Sequence, residues 1–133
     1  MSKYLSQIPR VFLGFIFTVF GMMGLLHMLP AQQLEGPAAV YMAGLSGTYL
    51  LTLVKATEVA VGLLLLSNRF VPLALVILAP VMVNIVGFHA FYAPSGLAMP
   101  VLLVAAGVYV AWQHRAAFSS LLTSKAAVVT HSP

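Results

Sequence analysis

The chain has 133 residues, of which 62% are hydrophobic and only 6% charged, with a net charge of +4, no cysteine and a mean hydropathy of +1.05. An ordinary soluble domain carries about 25% charged residues, so this composition excludes a soluble monomer and makes lipid the solvent of a small helical bundle. The small, scattered positive charge excludes nucleic acid as a partner, and the lack of cysteine excludes disulfides, thiolate nucleophiles and CxxC redox chemistry.

The first apolar run is expected to form a membrane span over about residues 9–29, opening on Pro9 and Arg10 and ending before Pro30, with His27 in its last turn. It is too long for a signal-peptide core and lacks a small-x-small exit, so it is expected to stay in place. Gly14, Gly21 and Gly24 fall near one face, where a neighbouring helix can pack closely. Residues 30–47 form the longest connection. Pro37 favours a helix start, and a short amphipathic helix over about 37–44 is expected to lie at the membrane interface in this first outer loop.

The second span covers about 48–66 and carries Lys55 and Glu58, with Thr52, Ala56 and Ala60 as a small-residue stripe. The short turn Ser67-Asn68-Arg69 makes spans two and three antiparallel neighbours. The third span covers about 70–91, with Pro72 in its first turn and Pro80 in its middle, where it should kink the helix and free the Val76 carbonyl. The fourth span covers about 97–112, with Gly107 and Ala111 as a packing pair and Trp112, His114 and Arg115 at its interfacial end. Residues 1–118 thus read as one four-helix transmembrane domain, and 119–133 as a polar, loose cytoplasmic tail. Lys3, Arg10, Arg69, Arg115 and Lys125 all flank one side of the four spans, whereas the opposite loops hold only Glu35. The positive-inside rule places both termini in the cytoplasm.

Five polar residues interrupt the apolar runs. At about 1.5 Å per residue, Lys55 lies about 10 Å and Glu58 about 15 Å below the outer surface, with Asn84 roughly 9 Å below it and His27 and His89 near the boundary. Helical side chains tilt toward their own N-terminus, so Glu58 leans toward Lys55 while His27, Asn84 and His89 lean down toward them. Each has a plainer role available. Lys55 can snorkel to headgroups, Glu58 can form a purely structural ion pair with Lys55, and Asn84 can hydrogen-bond between helices. His27 and His89 can be interfacial residues or, being on different helices at similar depth, paired haem ligands. Met22, Met23 and Met28 read as packing or lipid-facing residues.

These same residues carry a resemblance. Arg10 with the Gly-rich first span ending in His27, the segment Lys55-Ala-Thr-Glu58 followed by Gly62, Asn68-Arg69-Phe70-Val71-Pro72, and Ala79-Pro80 through Asn84 to Phe88-His89 resemble the DoxX family of small four-helix bacterial membrane proteins. The likeness covers roughly residues 8–118. It implies an all-α, integral-membrane four-helix bundle in the cytoplasmic (inner) membrane, where some members look like quinone-linked subunits of oxidising complexes and others are associated with redox partners.

The first functional expectation is therefore a membrane subunit of a quinone-linked oxidoreductase. In it Glu58 and His89 exchange protons as the catalytic pair, and His27, Lys55 and Asn84 bind the quinone head group. No metal and no covalent cofactor is expected. The chain contains no electron donor, so a protein partner or a diffusing reductant would supply electrons. Two alternatives remain open: a non-catalytic anchor or assembly subunit for a partner protein, and a small carrier for a lipid-soluble or anionic substrate that works as a homodimer.

Overall fold

A computed structural model describes residues 2–130 of the chain, so the last three residues of the expected tail lie outside the described residues. Those described are helical throughout, with no strand among them: α1 Ile8–Leu25, α2 Gly36–Ser46, α3 Tyr49–Leu66, α4 Val71–Tyr92, α5 Ala98–Gln113 and the short α6 Arg115–Phe118. Single 3-10 turns precede α1, link α4 to α5 and follow α6. Among the described residues, three segments are long and apolar enough to cross a membrane: Leu5–Leu25, Tyr49–Leu66 and Val71–Tyr92. A fourth, α5, joins them if it counts as one span with the segment that follows it.

The four long helices close into a ring in which α1 packs on α3 and α5, and α4 packs on α3 and α5. Gln113 Nε2 donates to the Ser6 carbonyl at 3.1 Å, so α5 ends where α1 begins. One end of the bundle therefore holds the start of α1, the end of α3, the start of α4 and the end of α5 (the terminal end). The opposite loop end holds α2 and the α4–α5 turn. A core of Leu13, Phe17, Val61, Leu65, Val71, Ala74, Leu75, Leu78, Leu103 and Val110 fills the space between the helices.

Helix ends follow local chemistry. Thr48 caps α3, its Oγ1 accepting from the Leu50 N–H at 3.3 Å. At the other end of α3, Asn68 is left-handed (φ 56°), its N–H donates to the Leu65 carbonyl, and the Arg69 N–H donates to the Leu64 carbonyl at 3.0 Å. This is a Schellman stop with asparagine in the usual glycine place, and it produces the expected tight turn between α3 and α4. The same device ends α1 early. His27 has φ 58°, its N–H donates to the Gly24 carbonyl and the Met28 N–H to the Met23 carbonyl at 2.8 Å. His27 thus belongs to the cap beyond Leu25 and not to the last turn of a helix reaching residue 29.

One further expectation changes. The helix in the first loop forms, but it is not amphipathic. It holds no charged side chain, and its outward Val40, Ala43 and Gly44 are as apolar as the face that packs on α3 and α4. The stripe Thr52, Ala56 and Ala60 points out of the bundle, while the inward face of α3 carries Glu58, Val61, Gly62 and Leu65. Helix α4 continues unbroken through Pro80.

Candidate functional site

The closest helix pair is α1 with α3. A Cβ on Gly14 would stand 3.0 Å from the Gly62 carbonyl oxygen, one on Gly21 3.0 Å from the Lys55 carbonyl, and one on Gly62 2.6 Å from the Thr18 nitrogen. The antiparallel backbones touch along the glycine face anticipated for α1. Thr18 Oγ1 is buried against Gly62 and has no hydrogen-bond partner among the described residues.

Lys55 and Glu58 stand in this seam, one turn apart on the inward face of α3. Glu58 is 3% exposed. The Lys55 ammonium donates to both carboxylate oxygens, at 2.8 Å to Oε2 and 3.1 Å to Oε1. A buried carboxylate without such a partner would cost several kcal/mol. The ammonium reaches this position because its stem crosses α1 at Gly24. A Cβ there would lie 2.5–2.9 Å from Lys55 Cδ, Cγ and Cε, so the glycine is the seat of the lysine chain. The Lys55 side chain keeps 17% exposure against 4% for that of Glu58, so the pair is approached from the lysine side.

Asn84 is engaged elsewhere. Tyr41 of α2 donates its hydroxyl to Asn84 Oδ1 at 2.8 Å, and Asn84 Nδ2 lies 2.6 Å from the Tyr41 hydroxyl oxygen. Tyr41 also packs on Phe88 and Tyr92, with ring centroids at 5.2 and 6.0 Å. Asn84 thus clasps α2 to α4. His89 is half-buried, its Nδ1 is 2.8 Å from the Ile85 carbonyl, and its ring lies against Gly96 of the α4–α5 turn. His27 is exposed, with Nδ1 3.1 Å from the Leu25 carbonyl. A carbonyl beside Nδ1 calls for the proton there, leaving Nε2 of each ring for other partners. Of the five residues expected to form the site, only Lys55 and Glu58 bond to each other; Asn84, His89 and His27 each bond to a different group.

Two participants were not singled out from sequence. Tyr41 could not be linked to Asn84, 43 positions away. Arg10 opens the first span and carries part of the resemblance, but the sequence gives it no partner; it is 8% exposed. Its Nη1 donates to the carbonyls of Leu65 and, at 3.4 Å, Leu66, and its Nε donates to Gln7 Oε1 at 3.0 Å. It therefore adds a second donor to the Leu65 carbonyl, reaches the Leu66 carbonyl and sets a positive charge at the negative dipole end of α3. An arginine at the very start of an apolar run, within the first turn of its helix, is the signal that could have found it.

Between α4 and α5 runs an apolar groove of about 350 Å³, lined by Val76, Met82, Val104, Gly107, Val108 and Phe118 among others. None of the five polar residues lines it. Against protein-family models, curated proteins and solved structures, the chain matches none.

Proposed function

We propose that the chain is a DoxX-like multi-pass protein of the bacterial cytoplasmic membrane, with four spans and both termini cytoplasmic, whose Lys55–Glu58 pair binds the head group of a quinone. One observation carries this reading: an ion pair held inside an apolar bundle and open only on its lysine side. A bundle this apolar has no need of charges to hold it together, and ionisable groups at membrane depth mark function by default.

The donor set suits a quinone carbonyl. An ammonium has three N–H donors, and Glu58 leaves Lys55 one to offer an approaching oxygen. Glu58, held beside it, can take or release a proton at Oε1 or Oε2. His89, with Nε2 available, is a second proton-exchanging group at the loop end. A bound quinone supplies redox chemistry coupled to proton uptake, and a partner protein or diffusing reductant supplies the electrons. The outward stripe of Thr52, Ala56 and Ala60 favours a second reading, an anchor subunit whose partner helix packs there.

The double variant Glu58→Gln, Lys55→Met separates the two. It removes both charges together, so the bundle should fold. Quinone binding, read by quinone copurifying in mild detergent, should be lost. A folded double variant that retains quinone like the wild type leaves the anchor reading standing. For topology, single cysteines at Gln32 and at Ser124 should label from opposite sides, Gln32 from the periplasm.

A further inference from the structure

The chain bends by 84° between α5 and the segment Arg115–Leu122. We propose that this segment is a docking surface for anionic lipid headgroups on the leaflet at the terminal end. At about 1.5 Å per residue, the 16 residues of α5 extend about 24 Å, short of a hydrocarbon core of about 30 Å. A bilayer thins locally around a short span, and long basic side chains beside it snorkel to the headgroups. That places the bend at the interface and lays the following segment in the membrane plane.

The side chains are sorted for that position. Phe118 packs back against the core between α4 and α5. Leu121 and Leu122 are 66% and 84% exposed, apolar side chains that can dip below the headgroups. Arg115 stacks on Trp112 at 5.2 Å from the ring centroid and donates to the Trp112 carbonyl at 3.1 Å, which holds a cation beside an indole at the interface. Lys125 follows the segment, and Arg69 and Lys3 flank the same end. The chain's only carboxylate side chains, Glu35 and Glu58, belong to the loop end and the interior of α3. No acidic side chain therefore offsets this positive surface, and its complement is a layer of phosphate groups. The inference stands apart from the Lys55–Glu58 site and is tested without quinone.

The chain has no cysteine, so L122C accepts a single environment-sensitive fluorophore. The full-length protein is reconstituted in vesicles of phosphatidylcholine alone, or of phosphatidylcholine mixed with phosphatidylglycerol, each with a shallow spin-labelled lipid as quencher. Emission should shift to the blue and be quenched more strongly in the anionic vesicles, and added salt should reverse part of the gain. The change Arg115→Gln with Lys125→Gln should lower the docked-to-free ratio about fivefold for each charge removed. Arg115→Lys, which keeps the charge but alters the Trp112 stack, should retain the response. Equal quenching in the two lipids, an unaltered anionic response in the double variant, or loss of the response in Arg115→Lys would overturn the proposal. So would the absence of quenching in both lipids, which would mean that protein, such as a second copy of the chain, covers the segment.

Discussion

The terminal half of the bundle and its loop half are built on different terms. In α1, α3 and α4 the fully buried apolar side chains gather toward the terminal end: Leu13 and Phe17, Val61 and Leu65, and Val71 to Leu78. Before Glu58, α3 has no fully buried residue, and after Leu78 neither has α4. Two glycines mark the contrast. A Cβ on Gly62 would collide with the backbone of α1, whereas one on Gly87 would meet nothing within 4 Å. The polar residues lie where packing relaxes, at the edge of a tightly packed seam. That seam fixes α1 against α3 and so sets Gly24 beneath the Lys55 chain. The packed half acts as scaffold for the ion pair at its edge.

The change that breaks the contrast most is Gly62→Val. Its side chain would have to displace the Thr18 nitrogen and the Gly14 carbonyl, which are backbone atoms that cannot turn aside. Overpacking typically costs about 1–3 kcal/mol, and prying two helices apart should exceed that range. Thermal melting in detergent should show a variant that is barely folded. Gly87→Ala is the control. With open space and a better helix former, it should be neutral or gain up to about 1 kcal/mol. Similar losses in both variants would mean that the two halves are equally packed.

The second change acts at the boundary between the halves. Glu58→Gln leaves the Lys55 ammonium unpaired in an apolar setting. Breaking a buried pair in this way costs about 3–5 kcal/mol, and the lower end applies because Lys55 retains some exposure. Adding Lys55→Met should recover most of the loss, since no lone charge then remains. If the double variant melts at the sum of the two single losses, the residues are not coupled.

Much of the fold is legible because hydropathy marks apolar helices directly, and the one-sided lysines and arginines order them. The ion pair is legible because an i, i+3 spacing decides contact without knowledge of other helices. What is lost is which way each helix faces. When every side is apolar, periodicity cannot show the inward side, so the Thr52, Ala56 and Ala60 stripe could not be assigned to the outside. Asn84 and Arg10 answer to partners in other helices. His27 sits in a run that stays apolar through Leu29, and only its left-handed backbone reveals the stop. The 84° bend before Arg115 carries no proline or glycine to announce it.

At the terminal end, Arg10→Met should separate scaffold from site. It takes the guanidinium from the Leu65 and Leu66 carbonyls, and because Leu65 keeps the Asn68 N–H the cost should be about 1–2 kcal/mol, that of lost hydrogen bonds to a charged group and not of an orphaned carbonyl. Arg10→Lys should recover part of that, because a lysine keeps the charge but not the fork. The comparison predicts that Arg10→Met, assayed below its melting temperature, binds ligand at the Lys55–Glu58 pair as the wild type does. Loss of binding in a folded Arg10→Met protein would show that the two halves are coupled through α3.

The smallest effect is expected from Tyr41→Phe, in the looser half. The hydroxyl it removes bonds to Asn84, and the ring that remains still packs on Phe88 and Tyr92. Hydrogen bonds between helices in membrane proteins average about 0.6 kcal/mol, so global melting should hardly move. The effect should appear in amide hydrogen exchange, which reports local opening. Exchange should quicken over residues 36–46, where Tyr41 fastens α2 to α4, and stay unchanged over 55–66, where α3 is held by the glycine seam. The difference in magnitude follows from the contacts. Helix α2 buries only Ala38 fully, so one side-chain bond is a large part of what secures it. Helix α3 buries Glu58, Val61, Gly62 and Leu65, so the loss of a bond on α2 does not reach it. Equal quickening in both segments would mean that the bundle opens as one unit, and that the contrast in packing has no counterpart in stability.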